Sequence, residues 1–296
     1  MKIGAVINNA SGVLSPEETK RRLNEIKEKL ADRVSSNLLA IVPGNQVKQE
    51  LERIVKQDID ILIVGGGDGT VSTAASFVAG TDISLLVLAL GTKNNFAKDA
   101  GIPLNPLEAI ALLDNMKKWE IDIGEVNEYT FINNATVGLY PKIVKEREKR
   151  TKRYNWQKWR AKIAAGNLVL RRLPRMRMSV EADNINTQLY SPFLFVGNNE
   201  YKEIINPNYF RESLNEGKLW LCFARSSGVS SLMLMAWHLI TKGIRETDNL
   251  ETHLVTDLTI NTWKRKVTVA IDGENHQLKT PLRFRIRTKY LRLIVS

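Results

Sequence analysis

The feature that most constrains how this chain folds is a glycine-rich loop between an apolar strand and a helix start. The loop reads Gly65-Gly66-Gly67-Asp68-Gly69-Thr70, with a strand predicted before it at Ile59–Val64 and a helix after it at Val71–Ala79. In α/β folds such a loop binds phosphate, because free helix N–H groups and bare glycine backbone let an anion approach closely. It is not a Walker A loop, since no Gly-Lys-Ser/Thr closes it, and Thr70 stands where a dinucleotide fingerprint has its third glycine or alanine.

Asp68 is the unusual member of this loop. A carboxylate repels a phosphate unless a cation intervenes or the acid contacts another group. Coordination of Mg²⁺ and activation of an attacking hydroxyl group are the two uses that fit a phosphate-binding loop. A tight strand-to-helix turn is the structural alternative, and it explains the glycines but not Asp68.

A second loop of the same kind follows the next apolar strand. The strand is predicted at Ile83–Leu90, and the loop reads Gly91-Thr92-Lys93-Asn94-Asn95-Phe96. Single turns of this kind are common, but two of them side by side at the carboxyl edge of a parallel sheet can clamp one ligand. The sequence therefore predicts a phosphate-containing ligand held between the two loops.

The first third of the chain alternates strands and helices. Ser15, Pro16 and Glu18 form a predicted capping box, which starts a helix that runs to about Asp32. The other predicted elements are strands at Lys2–Asn8, Leu38–Val42, Ile59–Val64 and Ile83–Leu90, and helices at Gln46–Lys56, Val71–Ala79 and Asn105–Asn115. Strongly apolar strands alternating with helices predict a parallel sheet in a Rossmann-like nucleotide-binding domain.

From about Ile121 onward, short alternating segments dominate, which predicts a mostly antiparallel, sandwich-like β domain. The predicted strands are Tyr129–Asn133, Met176–Glu181, Thr187–Phe195, Lys218–Phe223, Leu254–Asn261, Lys266–Ile271 and Leu282–Ile286, interrupted by a basic stretch and by Ser230–Thr241. A chain of 296 residues favours two domains with a cleft between them. We expect an α/β domain at residues 1–123 and a β domain at residues 124–296, with the last strand free to return to the first domain.

The net charge of +11 is concentrated in one stretch. Residues 142–177 hold 14 Lys and Arg and two acids, whereas the rest of the chain holds 29 basic and 30 acidic residues. One anionic partner surface is expected, and no nucleic-acid-binding motif accompanies the charge. Tryptophans on one side of a predicted basic helix are typical of a membrane interface, with core packing or a solvated charged face as alternatives. The predicted membrane contacts are Lys152, Arg153, Trp156, Trp159 and Arg160.

The cysteine content and the apolar runs of the sequence also indicate the cellular compartment of the chain. Cys222 is the single cysteine, so it cannot form an internal disulfide, which favours a reducing compartment. The strongest apolar runs, residues 83–90 and 232–240, are shorter than the ~20 residues that span a bilayer. We therefore expect a cytoplasmic chain, peripheral at the inner face of the membrane.

The two loops belong to a longer series of motifs. Asn8–Gly12 precedes Gly66–Thr70, which is followed by Gly91–Ala97 and Gly101-Ile102-Pro103. Further members are Ile121–Gly124, Phe131–Asn134, Gly138, Gly197–Asn199, Glu216–Leu219 and Ile271–Glu274. In this order the series resembles the diacylglycerol kinase catalytic-domain family, which includes bacterial lipid kinases, sphingosine kinases and ceramide kinases. The resemblance spans nearly the whole chain.

The resemblance implies an ATP-dependent lipid kinase, with ATP as co-substrate, Mg²⁺ as cofactor and a lipid substrate in the cleft. It implies Glu274 as the proton acceptor, with Asp272 and Asp68 as further catalytic residues. Metal positions are implied at Asp68, at Asp122 and, as a separate site, at Glu216. The implied ATP-binding residues are Asn8, Ser11, Gly65, Gly66, Gly67, Asp68, Gly69, Thr70, Thr92 and Asn94. This agrees with the needs of phosphoryl transfer, which are positioning, neutralisation of charge by a metal, and a carboxylate near the acceptor hydroxyl.

The chain departs from the family pattern at several positions. Asn9 replaces a proline, and Glu216 replaces an aspartate at the separate metal site. Asn95 stands where the family usually has an aspartate, and an amide brings no charge to Mg²⁺. A soluble-metabolite kinase of the NAD kinase type and a non-catalytic nucleotide- or lipid-binding paralogue are the alternatives. The sequence does not identify the acceptor lipid, and it leaves open whether the chain forms a homodimer.

Overall fold

The computed structural model of the protein describes residues 1–12, 14–138, 176–183, 185–191, 193–201, 211, 213–224 and 250–296. The predicted interruption at Ser230–Thr241 lies outside the described residues. So do the predicted membrane contacts Lys152, Arg153, Trp156, Trp159 and Arg160. The described residues form two β-sheets and the helices that pack on the first of them.

The N-terminal part has the predicted alternation of strands and helices. Its elements are β1 (Ile3–Asn8), α1 (Pro16–Leu30), a 3₁₀ helix (Ser36–Leu38), β2 (Leu39–Val42), α2 (Val47–Val55), β3 (Ile61–Gly66), α3 (Asp68–Val78), β4 (Ser84–Ala89), α4 (Asn95–Asp99) and α5 (Pro106–Ala111). The capping box of α1 is present, because the Glu18 N–H donates to Ser15 Oγ at 3.3 Å and the Ser15 N–H donates to Glu18 Oε2 at 3.0 Å.

The remaining described elements are strands. They are β5 (Lys117–Val126), β6 (Tyr129–Phe131), β7 (Asn134–Gly138), β8 (Met176–Ala182), β9 (Ile185–Ser191), β10 (Phe193–Asn198), β11 (Leu219–Ala224), β12 (Leu250–Val255), β13 (Asp257–Thr262), β14 (Lys266–Ile271), β15 (Glu274–Lys279) and β16 (Leu282–Val295). The larger sheet has the order β2-β1-β3-β4-β16-β13-β8-β9, with β5 pairing with β16 and β6. The smaller sheet has the order β12-β11-β10-β7-β14-β15.

The predicted fold class is confirmed. Strands β1 to β4 are parallel neighbours with helices packed on them, and the smaller sheet is antiparallel. A second apolar core, which includes Val180, Val196 and Phe284, takes side chains from both sheets. The β part is therefore a sandwich in which each sheet buries one face against the other.

Two predicted strands are each divided in the structure, which corrects the prediction. The Thr187–Phe195 segment is divided between β9, which ends at Ser191, and β10, which begins at Phe193, because Pro192 has no N–H group to donate to a strand ladder. Ser191 Oγ also donates to the Phe193 carbonyl at 2.7 Å. The Leu254–Asn261 segment breaks at Thr256, whose N–H and hydroxyl group donate to Asp183 at 3.3 and 3.2 Å. At both breaks the chain passes from one sheet to the other.

The last strand ties the parallel strands to the sandwich. β16 pairs with β13 near its start and with β4 through Arg292 and Leu293 near its end, while β5 runs along its other edge. The predicted domain boundary at residue 123 falls inside β5, so the division into residues 1–123 and 124–296 stays a prediction. Among the helices that the structure describes, none has the length and apolar character to cross a bilayer.

Candidate active site

Three loops meet where β1, β3 and β4 end, and we call residues 8–12, 65–70 and 91–96 the strand-end loops. They are neighbours because β3 pairs in parallel with both β1 and β4, which brings the carboxyl ends of the three strands to one edge. Asn8 Nδ2 donates to Thr70 Oγ1 at 3.1 Å, and Asn8 Oδ1 accepts from the Ala10 N–H at 3.0 Å. One amide side chain therefore fixes the first loop against the second.

The glycine loops approach each other more closely than side chains would allow. A Cβ atom on Gly91 would lie 2.4 Å from the Cα atom of Gly67. Asn94, which has a positive φ of 52°, accepts from the Gly91 N–H at 2.9 Å and donates to the Gly91 carbonyl at 3.0 Å. By contrast, a Cβ on Gly69 would meet nothing within 4 Å, so the start of α3 is open. The loops are packed tightly against each other and leave free space above Gly69.

Asp68 connects the second and third strand-end loops. It is the first residue of α3, and its Oδ1 accepts from the Phe96 N–H at 3.1 Å. Its other oxygen, Oδ2, accepts no hydrogen bond from the described part of the chain. The carboxylate is thus anchored by one oxygen and has the second available for a ligand.

Ser11 and Thr92 complete the predicted nucleotide positions. Ser11 lines an open cavity of about 620 Å³ that continues along α1 past Thr19 and Lys20. Thr92 is exposed in the third loop. The structure thus brings the predicted ATP-binding residues to one edge of the sheet, and their roles stay predictions.

Asp272 is half-buried, and its carboxylate is saturated with hydrogen bonds. Its carboxylate accepts from Ser72 Oγ at 2.5 Å, from the N–H groups of Ile132 and Asn133 at 2.9 Å, and from that of Asn134 at 3.0 Å. Burial raises the pKa of Asp272, whereas the hydrogen bonds from Ser72 and these N–H groups lower it. Ser72 lies four residues after Asp68 on α3, so Asp272 holds the β14–β15 hairpin about one helical turn from that carboxylate.

Glu274 differs from Asp272 although only Gly273 separates them. Ile271 pairs with Glu274, so Asp272 and Gly273 form a two-residue hairpin turn, and both have the positive φ, 45° and 90°, that such a turn requires. Asp272 is turned inward, while Glu274 is exposed and accepts no hydrogen bond from the described residues. Of the two carboxylates, Glu274 is the one that is free to meet a substrate.

A buried ion pair that the sequence analysis did not identify lies beside this site. Arg211 Nε donates to Asp99 Oδ2 at 2.8 Å, with 0% and 3% of the two side chains exposed. Arg211 also donates to the carbonyls of Ile132 and Asn198 at 2.6 and 3.0 Å and to Asn133 Oδ1 at 3.1 Å. Burial raises the pKa of Asp99, and Arg211 opposes that rise. Because α4 follows the third strand-end loop, this pair joins the loop to the β part.

We call Asp99, Asn133, Tyr201, Arg211 and Asp272 the buried polar cluster, in which Arg211 is buried and the other four residues are half-buried around it. Tyr201 donates its hydroxyl hydrogen to the Asn133 carbonyl at 3.0 Å, and the Arg211 guanidinium lies 5.6 Å from its ring centre. The sequence signals for this cluster were the motifs that contain Asn133 and Asp272. Nothing in the spacing of Asp99 or Arg211 marks them as partners, since 112 positions separate them.

The predicted metal positions do not gather into one group. Asp122 is buried, and its two carboxylate oxygens accept from the N–H groups of Gly217 at 2.6 Å and Lys289 at 2.9 Å. Glu216 is exposed beside that contact. Asp68 and Asp122 share no hydrogen-bond partner within the described ranges, and those ranges hold no group of three or more metal-ligating side chains. Asp122 is placed as a support for the loop that carries Glu216.

Residues 2–126 match the family model of the diacylglycerol kinase catalytic domain. A protein of Pseudomonas aeruginosa strain PAO1 named "Probable lipid kinase YegS-like" is 49% identical over 84 residues, 28% of this chain and 28% of its own. A protein of the same name from Pseudomonas syringae pv. tomato is 34% identical over 127 residues, 40% of this chain and 41% of its own. The matched segments therefore span less than half of these relatives.

The likeness of fold extends further than the likeness of sequence. The crystal structure of a diacylglycerol kinase from Bacillus anthracis strain Sterne superimposes with a TM-score of 0.68 at 20% identity. That superposition covers 100% of this chain and 97% of the other. Both the parallel sheet and the sandwich therefore have counterparts in a solved structure.

Proposed function

We propose that this chain, whose residues 2–126 match the family model of the diacylglycerol kinase catalytic domain, transfers the γ-phosphoryl group of ATP to a hydroxyl group of a lipid, diacylglycerol or a related one. The observation that carries the proposal is the meeting of two groups at one place. The strand-end loops offer backbone N–H groups and Asp68, and the Asp272 turn holds Glu274 near the same helix. Phosphoryl transfer requires this combination of a phosphate cradle and a carboxylate for the acceptor hydroxyl.

In the proposed reaction the strand-end loops bind the phosphates of ATP. The first N–H groups of α3 have no intrahelical acceptor, and the helix dipole favours an anion there. The open space over Gly69 admits a phosphate close to this backbone. The hydrogen bond from Asn8 to Thr70 and those between Asn94 and Gly91 hold the cradle in shape before the ligand arrives.

The donor set around Asp68 fits Mg²⁺ that arrives with ATP. Magnesium is usually held by one or two carboxylates together with substrate phosphates and water, and Asp68 Oδ2 supplies one such oxygen. Mg²⁺ would neutralise charge on the transferring phosphoryl group. Asp122 differs from Asp68 in that each of its two oxygens accepts a backbone N–H group, and its implied metal position stays a prediction. Asn95 is exposed at the start of α4 and adds no charge.

Glu274 is the proposed acceptor of the lipid hydroxyl proton. It is exposed and free of hydrogen bonds from the described residues, whereas Asp272 is fully engaged and positions the turn. A carboxylate in this role contributes by taking the proton as the acceptor oxygen attacks the γ-phosphorus atom and ADP departs. Because a lipid acceptor stays in its bilayer, the chain must also meet an anionic membrane surface.

The test is transfer of label from γ-labelled ATP to a total lipid extract or to NAD, with the labelled product identified. We expect a labelled lipid, with turnover lowered at least ~100-fold by Asp68→Asn and by Glu274→Gln. Glu181→Gln, an exposed carboxylate on β8, is the matched control and should keep full activity. Label in NAD would favour the soluble-metabolite alternative. Full activity of both the Asp68→Asn and Glu274→Gln variants would contradict the proposed function.

A further inference from the structure

The turn that links β13 to β14 exposes a large aromatic ring among cations. We call residues 263–266 the Trp263 turn. Trp263 is 85% exposed, and Lys264, Arg265 and Lys266, which follow it, are exposed as well. A tryptophan has a large apolar area that folding normally buries, so an exposed tryptophan at the tip of a loop indicates a site of contact with another molecule.

Hydrogen bonds from two threonines fix the backbone of the Trp263 turn. The Lys264 carbonyl accepts from Thr262 Oγ1 at 3.0 Å and from Thr280 Oγ1 at 2.7 Å. The Arg265 carbonyl accepts from the Thr280 N–H at 3.1 Å. Three hydrogen bonds therefore fix the backbone of this turn, although its side chains contribute little to either core. A fixed base with outward side chains is suited to contact with another surface.

The charges around this turn are uncompensated. Lys266 pairs directly with Lys279 across the β14–β15 ladder, and like charges in that position destabilise a sheet. Arg177 lies beside Trp263, with which it lines one cavity, and its neighbour Met178 pairs with Thr262. Within the described residues, none of the cations in this patch forms an ion pair. We call Arg177, Trp263, Lys264, Arg265, Lys266 and Lys279 the basic-aromatic patch. Its arrangement costs the free chain stability, and an anionic partner would offset that cost.

The patch also includes a concave surface next to the ring. A cavity of about 440 Å³ is lined by Trp263, Tyr190, Leu189, Met178 and Arg177, among others. The lining combines apolar and aromatic side chains with a guanidinium group, which suits the boundary between phospholipid headgroups and acyl chains. Counting charges along the sequence leaves the chain outside residues 142–177 nearly neutral, but the fold gathers four cations from that part of the chain in space, beside Arg177 at the end of the basic stretch.

We propose that the basic-aromatic patch docks on an anionic lipid bilayer, with the Trp263 ring at the interface and the surrounding cations on the headgroups. This deepens the proposed function, since it supplies a contact with the bilayer that holds the acceptor. Tryptophan at the headgroup level and clustered lysine and arginine are the two elements of peripheral membrane attachment. A nucleic acid is less suited, because single-stranded binding uses several stacking rings along a groove and this turn offers one ring at a tip.

The patch is separate from the proposed active site. Lys266 and Ile271 are the two ends of β14, so the turn lies about 17 Å from Asp272 at ~3.4 Å per residue. Docking can thus fail without any change in the strand-end loops. Vesicle binding without ATP therefore tests the patch independently of whether the chain is a kinase.

The experiment is co-sedimentation of the full chain with two kinds of vesicle, phosphatidylcholine alone and an equal mixture of phosphatidylcholine and phosphatidylglycerol. We expect binding to the mixed vesicles only. Lys264→Glu/Lys266→Glu should weaken it at least ~25-fold, at about 5-fold for each cation lost. Trp263→Ala should weaken it by about 10-fold through the lost apolar contact. Lys117→Glu/Lys118→Glu, with the same change of charge at two exposed lysines of β5, is the matched control and should bind as the wild type does.

Three outcomes would overturn the proposal. The first is mixed-vesicle binding that neither the double-lysine variant nor Trp263→Ala weakens, which would assign attachment to another part of the chain. The second is an equal loss of vesicle binding in the control variant, which would mean that the net charge of the chain, and not the patch, determines binding. The third is loss of binding to a single-stranded RNA in the patch variants while vesicle binding stays intact. Thermal unfolding of each variant, at a midpoint close to that of the wild type, shows that the comparison is between folded chains.

Discussion

The strand-end loops and the buried polar cluster lie side by side, yet they are built in opposite ways. The loops come from the ends of three strands that are neighbours in the sheet, and their longest side-chain contact here, from Asn8 to Thr70, spans 62 positions. The cluster joins residues that lie 112 positions apart in the Asp99–Arg211 pair and 140 apart in the contact of Asp272 with Ile132. One region is a repeated local motif, and the other exists only once the two parts of the fold have come together.

The two regions also differ in what they leave unsatisfied. The loops keep free groups, such as Asp68 Oδ2 and the first N–H groups of α3, that a ligand can use. In the cluster, Arg211 and Asp272 each make at least four hydrogen bonds, and Arg211 is buried while Asp272 is half-buried. Free groups indicate binding, and satisfied buried groups indicate a structural role. The loops are therefore expected to control activity and the cluster to control stability.

The largest expected effect is that of Arg211→Met. It leaves the Asp99 carboxylate buried without its partner, so the free energy of unfolding should fall by about 3–5 kcal/mol. Urea unfolding of the full chain measures the change. The matched control is Arg285→Met, which removes another Nε–carboxylate pair, with Asp257 at 2.9 Å, whose side chains are 57% and 61% exposed. There the loss should stay below about 1 kcal/mol.

Equal losses in the two variants would contradict this contrast. They would mean that the Asp99–Arg211 pair is worth no more than a surface pair, and that the β part is attached to α4 by other contacts. A double variant, Asp99→Leu/Arg211→Met, sharpens the test. It removes both charges, and apolar replacement of a buried pair is often nearly neutral. It should recover much of the stability that Arg211→Met loses.

The same contrast explains which parts could be predicted from the sequence. The capping box at Ser15, the parallel strands and both glycine loops follow from local spacing, and the structure has each of them. Arg211 could not be found, because a buried arginine has no periodic pattern and its partner Asp99 is far away in the chain. Asp272 was found by its motif as a catalytic candidate, but its four hydrogen bonds depend on the tertiary contact with α3 and β7.

The next expected effect separates packing from binding within the strand-end loops. Gly91→Ala places a Cβ 2.4 Å from the Gly67 Cα, so the loops must move apart, and the free energy of unfolding should fall by about 1–3 kcal/mol. Gly69→Ala meets no neighbouring atom and lies in α3, where alanine is favoured by about 0.5–1 kcal/mol. Both variants should bind ATP more weakly, and calorimetric titration of ATP measures this.

The informative result is the one for Gly69→Ala, because the fold should tolerate it. A variant that is as stable as the wild type but binds ATP less tightly supports a phosphate above Gly69. Unchanged ATP affinity in Gly69→Ala would place the nucleotide elsewhere on this edge, for example towards Ser11 and the cavity along α1. That result would also contradict the contrast between the strand-end loops and the buried polar cluster, since the open backbone at Gly69 would then bind no ligand.

The smallest expected effect depends on pH and concerns Ser72→Ala. Burial raises the pKa of Asp272, and the hydrogen bond from Ser72 is the largest influence that lowers it. A carboxyl group with a raised pKa favours folding below the unfolded value, and this contribution is lost as the pH rises through the folded value. Removal of the Ser72 hydroxyl raises the folded pKa further. Ser72→Ala should therefore cost about 2 kcal/mol near neutral pH, where the bond is to a charged group, and about 1 kcal/mol below pH ~4.

Urea unfolding at the two pH values measures this difference, with Ser76→Ala as the matched control on the same helix. Ser76 Oγ donates to the Thr73 carbonyl at 2.7 Å, an uncharged acceptor, so its loss should cost the same at both pH values. A Ser72→Ala penalty of about 1 kcal/mol at both pH values would mean that Asp272 stays protonated throughout the range. The cluster would then hold the hairpin with a neutral acid, and Asp272 would have no negative charge near the transferring phosphate. A penalty that grows as the pH rises keeps Asp272 as a buried carboxylate, which orients the turn from which Glu274 reaches the substrate.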